Sequence, residues 1–386
     1  MKIIISAGGT GGHIFPAVAV ADELKRQDPS VQILFVGALG KMEMERVPKA
    51  GYKIEGLPIA GLQRRLTLKN VWLNLQLPFK LLNSMLKVKR ILTDFKPDVA
   101  VGFGGFASGP TLRAAANMGI PTVLQEQNSY AGVTNKLLAE KAQVICVAYE
   151  GLEKFFPKDK IILTGNPVRS DIAFSQNTDE RVSRHEAPHQ GVSSRKKEEG
   201  LIYFNLDKNK KTIVIMGGSL GAKSLNIAIE NNAQLIESKE DIQILWQCGR
   251  LYEEDFKNGK SAQLPNVQMR PFIDRMDLAY AVADVIIARA GALTISELCL
   301  AGTPSVLVPS PNVAEDHQTK NAMALVEKNA AILVKDSEAK EKMIQKALEI
   351  IDNESLMNSL SGNILKLGKP NAAKDIALQI IKIANQ

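Results

Sequence analysis

Two α/β domains, each built on a doubly wound parallel sheet, are what this sequence predicts, and three observations carry the prediction. Short β-branched runs alternate with amphipathic stretches along most of the chain, the pattern of βαβ units on a parallel sheet. A strand that runs into a glycine cluster and then a helix occurs twice, at residues 2–26 and again from residue 212. The length, 386 residues, exceeds one ordinary core and suits about two domains of ~150–200 residues each.

The first domain opens with a strand at Lys2–Ser6, which runs into Gly8-Gly9-Thr10-Gly11-Gly12 and then a helical stretch, Pro16–Arg26. Further strands are expected at Val31–Val36, Val99–Gly102, Thr122–Gln125 and Val144–Val147. The pattern breaks around Thr164-Gly165-Asn166-Pro167, which sets an N-terminal domain of 1–168 and a C-terminal domain of 169–369. Residues 175–211 are dominated by polar and charged groups and read as a long surface loop or partly disordered insert. The design then restarts with a strand at Thr212–Met216, the run Gly217-Gly218-Ser219-Leu220-Gly221-Ala222 and a helix from Lys223. Ile242–Gln247, Val267–Arg270, Val285–Ala288 and Ser305–Val308 supply further strands. Pro370 precedes a last amphipathic helix, Ala372–Ala384, expected to cross back to the first domain.

Composition narrows the function classes. Hydrophobic residues make up 45% of the chain and charged residues 23%, the balance of a globular protein. No apolar run approaches the ~20 residues of a membrane-spanning helix, and the N-terminus lacks the form of a secretion signal; a cytoplasmic location is expected. Cys146, Cys248 and Cys299 are widely spaced and form no CxxC pair, which argues against a disulfide scaffold or a cysteine-based zinc site. Net charge is +7, and the first half carries the excess: residues 1–165 hold 21 Lys and Arg against 13 Asp and Glu. Within it, residues 61–96 contain eight basic residues against Asp94 alone.

That basic stretch is also greasy. Apolar residues at 68, 72, 75, 79, 82 and 86 form one helical stripe, interrupted at Pro78, and Leu73, Leu77, Leu81 and Met85 lie on another face. One stripe serves a core; two imply that one stays exposed. Trp72, Leu75, Phe79 and Leu82 beside Lys69 and Lys80 therefore read as an anionic-membrane docking patch in preference to plain core. Aromatics presented as nucleic-acid binders present them are not visible, so no nucleic-acid partner is expected.

A glycine turn between strand and helix lets backbone approach a phosphate, and the helix start adds unpaired N–H donors. Two such turns, one at the head of each domain, point to nucleotide or phosphate chemistry between the domains. Neither fits GxGxxG with an acidic residue ~20 positions on. Gly217–Ser224 approaches the P-loop pattern, but Ala222 replaces its second glycine and no acidic metal ligand follows. His13 follows the first turn; it is either a general base, as an unperturbed pKa of ~6.5 suits, or a structural residue capping the turn. His185–His189 matches HExxH, yet Pro188 breaks the helix that a zinc site needs. Ala290–Glu297 begins a helix that suits a diphosphate with Glu297 on a ribose; taken alone, it equally reads as a capping box of Thr294 and Glu297.

Taken together, Gly8–His13, Gly102–Phe106, Glu126–Asn128, Gly165–Arg169, Gly217–Ala222, Ala290–Glu297 and Asp316–Ala322 occur in an order that resembles the MurG family of glycosyltransferases. The resemblance covers almost the whole chain. It implies the GT-B fold, two Rossmann-like domains facing a cleft, and transfer of N-acetylglucosamine (GlcNAc) from UDP-GlcNAc to lipid I in peptidoglycan synthesis. Carried over residue by residue, it places Thr10, Gly11, Gly12 and Asn128 near the donor sugar, and Arg169 and Ser219 at the diphosphate. Ile273 would meet uracil through its backbone, Ala292, Leu293 and Thr294 would flank the diphosphate, Ile295 and Ser296 would be further substrate-binding residues, Glu297 would bind ribose and Gln318 the GlcNAc hydroxyls. The stretch around Trp72 and Phe79 resembles the family's membrane-docking patch, which implies a peripheral protein on the cytoplasmic face of the inner membrane. Other cell-wall synthesis proteins are further partners the resemblance admits. Two departures stand out: Leu220 occupies a position where many members have glutamine, and the insert at 175–211 lengthens the usual connection.

The expected chemistry is one inverting displacement with His13 as base. No DxD-type carboxylate pair is present, so no cofactor and no protein-ligated metal is expected. Rival readings are another UDP-sugar enzyme of the same fold (a diacylglycerol glycosyltransferase or a UDP-GlcNAc 2-epimerase) and a non-catalytic UDP-sugar sensor at the membrane.

Overall fold

The computed structural model describes residues 1–59, 61, 72, 75, 77–168, 194–218 and 220–386. The chain divides into two compact units, Met1–Arg169 with Lys369–Gln386, and Ser170–Gly368.

The first unit is built on β1 (Lys2–Ser6), β2 (Gln32–Ala38), β3 (Lys53–Leu57), β4 (Val99–Gly102), β5 (Thr122–Glu126), β6 (Val144–Val147) and β7 (Ile161–Leu163). They pair in parallel in the order β3-β2-β1-β4-β5-β6-β7. β1 and β4 are buried along nearly their whole length, so their near-continuous Ile and Val runs fit a sheet covered on both faces. The covering helices are α1 (Gly11–Gln27), α2 (Glu43–Lys49), α3 (Leu77–Phe95), α4 (Ser108–Asn117) and α5 (Val133–Leu138). The C-terminal helix, Ala372–Ala384, lays Ile376, Ala377, Ile380 and Ile383 into the cluster that holds Ile14, Ala17, Val20 and Leu24 of α1.

The second unit repeats the plan with β8 (Lys211–Met216), β9 (Ile242–Gln247), β10 (Val267–Arg270), β11 (Val285–Ala288), β12 (Ser305–Leu307) and β13 (Ile332–Leu333). Their order is β10-β9-β8-β11-β12-β13, again all parallel. Its principal helices are α6 (Ser194–Phe204), α7 (Lys223–Asn231), α8 (Met276–Val282), α9 (Ala292–Ala301), α10 (His317–Val326), α11 (Ala339–Ile351) and α12 (Glu354–Lys366).

Four differences from the sequence reading have physical causes. β3, β7 and β13 were not anticipated; all three are outer strands, short or half-polar, and an edge strand needs no strong apolar pattern. α1 begins at Gly11, a turn before Pro16, because two glycines of low helix propensity hide its first turn. The polar insert gives way at Ser194 to α6, whose Phe204 is fully buried and which packs on α8; residues 194–204 are therefore helix, and Lys211 already belongs to β8. The HExxH match lies outside the described residues.

On α3 neither stripe is covered in full: of the second, Leu81 is exposed and Leu77 and Met85 are half-buried, and the buried face lies further along the helix. Ser84, Val88, Ile91 and Leu92 face the core that also holds Leu57 and Ala114. Trp72, Leu75, Phe79 and Leu82 are 64%, 64%, 73% and 59% exposed, and Leu86 is exposed with them. Pro78 sits in the first turn of α3, where no N–H is needed. Lys80 is half-buried, and Leu68, Lys69 and Leu73 lie outside the described residues.

Candidate active site

In both sheets the strand order reverses at the first strand, and the loops leaving the two strands on either side of that point diverge. Such a switch point opens a crevice at the carboxyl ends of the strands, where ligands of doubly wound sheets bind. In the first unit the strands are β1 and β4; in the second they are β8 and β11. The loops concerned, 7–12 with 103–107 and 217–222 with 289–291, are the glycine and small-residue motifs of the sequence.

In the first unit Thr10 is the N-cap of α1, with extended backbone. Gly11 and Gly12 follow as its first residues, whose amides have no intrahelical acceptor. His13 is third. Its Nδ1 lies 2.9 Å from the Gly8 carbonyl oxygen. A carbonyl only accepts, so Nδ1 carries the proton and Nε2 keeps its lone pair. Both alternatives for His13 thus hold at once: one ring nitrogen braces the turn and the other has the form of a base. Gly104, at φ +89°, comes so close that a β-carbon there would sit 3.2 Å from Nε2. Gly105, at φ +88°, packs its backbone on Gly8, and any side chain would collide with it.

Behind these turns lies a set of buried polar side chains. Gln127 donates from Nε2 to the Phe103 carbonyl (2.8 Å), tying the loop after β5 to the loop after β4. Glu126 accepts from the Asn128 amide (3.1 Å) and Nδ2 (3.2 Å), from the Gly132 amide (3.0 Å) and from Asn135 Nδ2 (2.8 Å), which fixes the Asn128 side chain toward the carboxylate. Glu43 of α2 is fully buried and accepts from the Gly9 amide (3.0 Å) and the Ala38 amide (2.9 Å). Sequence reasoning missed Glu43. Its segment, Lys41–Lys49, carries no motif that marks it, and only the fold turns that one carboxylate inward.

The second unit builds its turn differently. Gly221, at φ +78°, and Gly249, at φ +89°, pack backbone to backbone, so no side chain fits at either. Asn226 of α7 donates to the Cys248 carbonyl (2.8 Å) and accepts from the Trp246 indole (3.0 Å), holding the loops after β8 and β9 together. Arg289, at the end of β11, donates to the Val308 carbonyl (2.9 Å), to Asp336 (2.6 Å) and to Ser224 Oγ (2.6 Å). Gly291 is the N-cap of α9, and the first intrahelical bond runs from the Ile295 amide to the Gly291 carbonyl (3.0 Å). The amides of Ala292, Leu293 and Thr294 precede that bond, which is the arrangement that binds anions at a helix start. Ser296 is turned back on its own helix, donating to the Ala292 carbonyl (2.9 Å).

With Gly291 as N-cap and no side-chain cap, the capping-box alternative for Thr294 and Glu297 is overturned. Glu297 is buried and accepts from the Tyr280 hydroxyl at 2.8 Å. Gln318 takes the Ser310 amide on its Oε1 (2.9 Å), which assigns that oxygen and makes its NH2 the donor group. Glu315 and Asp316, just before it, adopt left-handed φ of 55° and 51°, a strain that non-glycine residues bear where structure over-determines them. Ile273 follows β10 with its side chain buried.

The structure thus brings Thr10, Gly11, Gly12 and His13 together in the first unit, with Asn128 on a neighbouring loop. It brings Ala292–Glu297 to the switch point of the second, with Ile273 on the loop after β10 and Gln318 in the first turn of α10. Arg169 and Ser219 lie outside the described residues. Thiol chemistry is excluded for two cysteines: burial pushes Cys146 and Cys299 each up to about 12, so neither ionises near neutral pH. Among the described residues no three His, Cys, Asp or Glu side chains converge as a metal site.

Residues 3–147 match the glycosyltransferase family 28 N-terminal domain, and residues 212–377 match the glycosyltransferase family 28 C-terminal domain. A relative from Flavobacterium psychrophilum is 52% identical over 384 residues, covering 99% of this chain and 97% of its own length. One from Bacteroides fragilis is 52% identical over 388 residues, covering 100% of this chain and 96% of its own. Both are named UDP-N-acetylglucosamine--N-acetylmuramyl-(pentapeptide) pyrophosphoryl-undecaprenol N-acetylglucosamine transferase. Among solved structures, MurG of Acinetobacter baumannii aligns with a TM-score of 0.74 at 30% identity, covering 99% of both chains. A UDP-GlcNAc 2-epimerase from Neisseria meningitidis aligns at 0.65 and 17% identity, covering 99% of this chain and 100% of its own, a likeness of fold alone.

Proposed function

The chain belongs to glycosyltransferase family 28, and from that premise we propose its reaction and the residues that carry it. It is an N-acetylglucosaminyltransferase of peptidoglycan synthesis, moving GlcNAc from UDP-GlcNAc to the muramyl C4 hydroxyl of lipid I to give lipid II. The observation that carries this reading is that relatives at half identity over the full length share one transferase name. The first unit has a histidine of base-competent tautomer at its switch point, and the second has a helix start suited to a diphosphate.

Chemically, the acceptor oxygen bonds to the anomeric carbon as the bond from that carbon to the diphosphate oxygen breaks, inverting the α-linkage. His13 Nε2 takes the hydroxyl proton. UDP departs with the electron pair, and its growing charge falls to the amides of Ala292, Leu293 and Thr294; Arg169 and Ser219 share that task by the family resemblance alone. Glu297 holds the ribose, the Ile273 backbone meets uracil, and Gln318 donates to the GlcNAc hydroxyls. Thr10, Gly11, Gly12 and Asn128 line the sugar from the first unit. None of these steps calls on a metal held by the protein, so chelation should leave turnover within about twofold, against the ~10²-fold or larger loss expected when an essential charge stabiliser is removed.

The exposed face of Trp72, Leu75, Phe79 and Leu82, with Lys80 of α3, supports docking on the anionic cytoplasmic face of the plasma membrane, where the lipid acceptor would be presented; Lys69 belongs to this patch by the sequence alone. No described helix is long and apolar enough to cross a membrane. Incubation with labelled UDP-GlcNAc and lipid I, then with diacylglycerol in its place, tests the function. Label should enter only the first lipid; label in diacylglycerol alone overturns the acceptor assignment.

A further inference from the structure

The Gly8–Gly9 peptide unit is bonded at both ends. Its carbonyl accepts from His13 Nδ1 (2.9 Å), and its N–H donates to Glu43 Oε2 (3.0 Å). A trans peptide points these two groups to opposite sides, so the imidazole and the carboxylate face each other through one amide plane. From this chain of bonds we infer that Glu43 is a positioning residue for His13: its buried charge, relayed through the Gly8–Gly9 peptide, fixes the ring's tautomer and supports its protonation at Nε2. The inference rests on the reading of His13 as the base.

Three features make the relay more than a brace. Glu43 is fully buried and, among the described residues, its two oxygens accept backbone amides, Gly9 to one and Ala38 to the other, with no cation paired to either. The Glu43 side chain fits between Gly8 and Gly37: a β-carbon at Gly8 would collide with its carboxylate and one at Gly37 with its Cγ, so both glycines are needed to admit it. The turn against Nε2, residues 102–112, carries no titratable side chain, and Glu126 at the end of β5 spends both oxygens on Asn128, Gly132 and Asn135. Linked hydrogen bonds polarise one another. A negative acceptor on the amide N–H raises the electron density of the carbonyl, which strengthens the bond from Nδ1–H and makes Nε2 a better proton acceptor. A carboxylate bonded directly to an imidazole does the same work at metal ligands and catalytic triads.

The test is Glu43→Gln in the full-length enzyme, with His13→Ala and the double variant alongside. Turnover should fall about tenfold, the lower end of the loss seen when an imidazole's outer partner is removed, while the KM for UDP-GlcNAc stays within about twofold. Removing a negative charge disfavours the imidazolium, so the acid limb of the pH profile should move to lower pH. In the His13→Ala background the same change should add nothing. An unmoved acid limb, or an equal further loss in that background, overturns the inference. Nitrogen-15 spectra of labelled histidine read the ring without turnover. The wild-type protein should show His13 protonated at Nδ1 when neutral, and the neutral Nε2–H form would sink the relay even if Glu43→Gln did not fold. Near-normal turnover of His13→Ala, with the Nδ1–H form present, would instead remove the base assignment and leave the relay a structural one.

Discussion

The two units share a strand order and a glycine turn at the same topological place, yet they equip that turn in opposite ways. In the first, the turn is held by ionisable groups: Glu43 on the Gly9 amide and His13 on the Gly8 carbonyl. In the second the glycine turn itself is held by backbone contact between Gly221 and Gly249 and by neutral groups, Asn226 and the Trp246 indole, while the Arg289–Asp336 ion pair acts beyond the turn, on Ser224 of α7. The difference teaches that the fold assigns the location while a few side chains assign the task. A turn braced by a carboxylate and an imidazole suits proton transfer, whereas one braced by neutral contacts leaves helix amides to carry an anion.

The comparison is most easily broken at His13. Replacing it with alanine should lower kcat by ~10²–10⁴ with donor affinity largely kept, the range of a lost general base. Single-turnover kinetics with UDP-GlcNAc and lipid I would read it, and near-normal turnover would remove the division of labour between the turns. The complementary change in the second unit is Glu297→Ala. Losing a hydrogen bond to a charged group costs ~1.5–3 kcal/mol, so UDP-GlcNAc should bind about ten- to a hundredfold more weakly by calorimetry. Tyr280→Phe, which removes the 2.8 Å bond to Glu297 and leaves the carboxylate in place, should weaken it less. Unchanged affinity in Glu297→Ala defeats the ribose assignment. The smallest effect concerns a contrast within the first unit, between the covered and exposed faces of α3. Trp72 and Phe79 changed together to serine should reduce partitioning onto anionic vesicles about tenfold or more, since each such side chain contributes up to ~1.5–3 kcal/mol when buried. Folding and solution turnover should be little altered, because neither residue is packed in the core. Vesicle binding that persists would return this face to another role.

Much of this was legible in the order of residues. Near-continuous Ile and Val runs marked the central strands because a strand covered on both faces must be apolar throughout. Glycine runs marked the turns because close backbone approach excludes side chains. The outer strands β3, β7 and β13 escaped, since an edge carries little burial to pattern it. α6 escaped because its first half is a run of charged residues, Arg195–Glu199, with burial concentrated at Gly200 and Phe204.

By itself the sequence determined two doubly wound units, their glycine turns, the histidine after the first and the excess of basic and apolar residues on 61–96. These are local properties, written in periodicity and composition over a few residues at a time. Tertiary structure alone decided that Gly217–Ala222 and Ala290–Glu297 share a switch point, since strand order is a pairing of segments ~70 residues apart. It alone chose which face of α3 stays uncovered, and it alone turned Glu43 into the interior against the peptide that holds His13. A buried carboxylate needs donors to offset its lost hydration; one, the Ala38 amide at the end of β2, is local, but the other, the Gly9 amide, comes from the turn after β1, which nothing in the residues around Glu43 could specify.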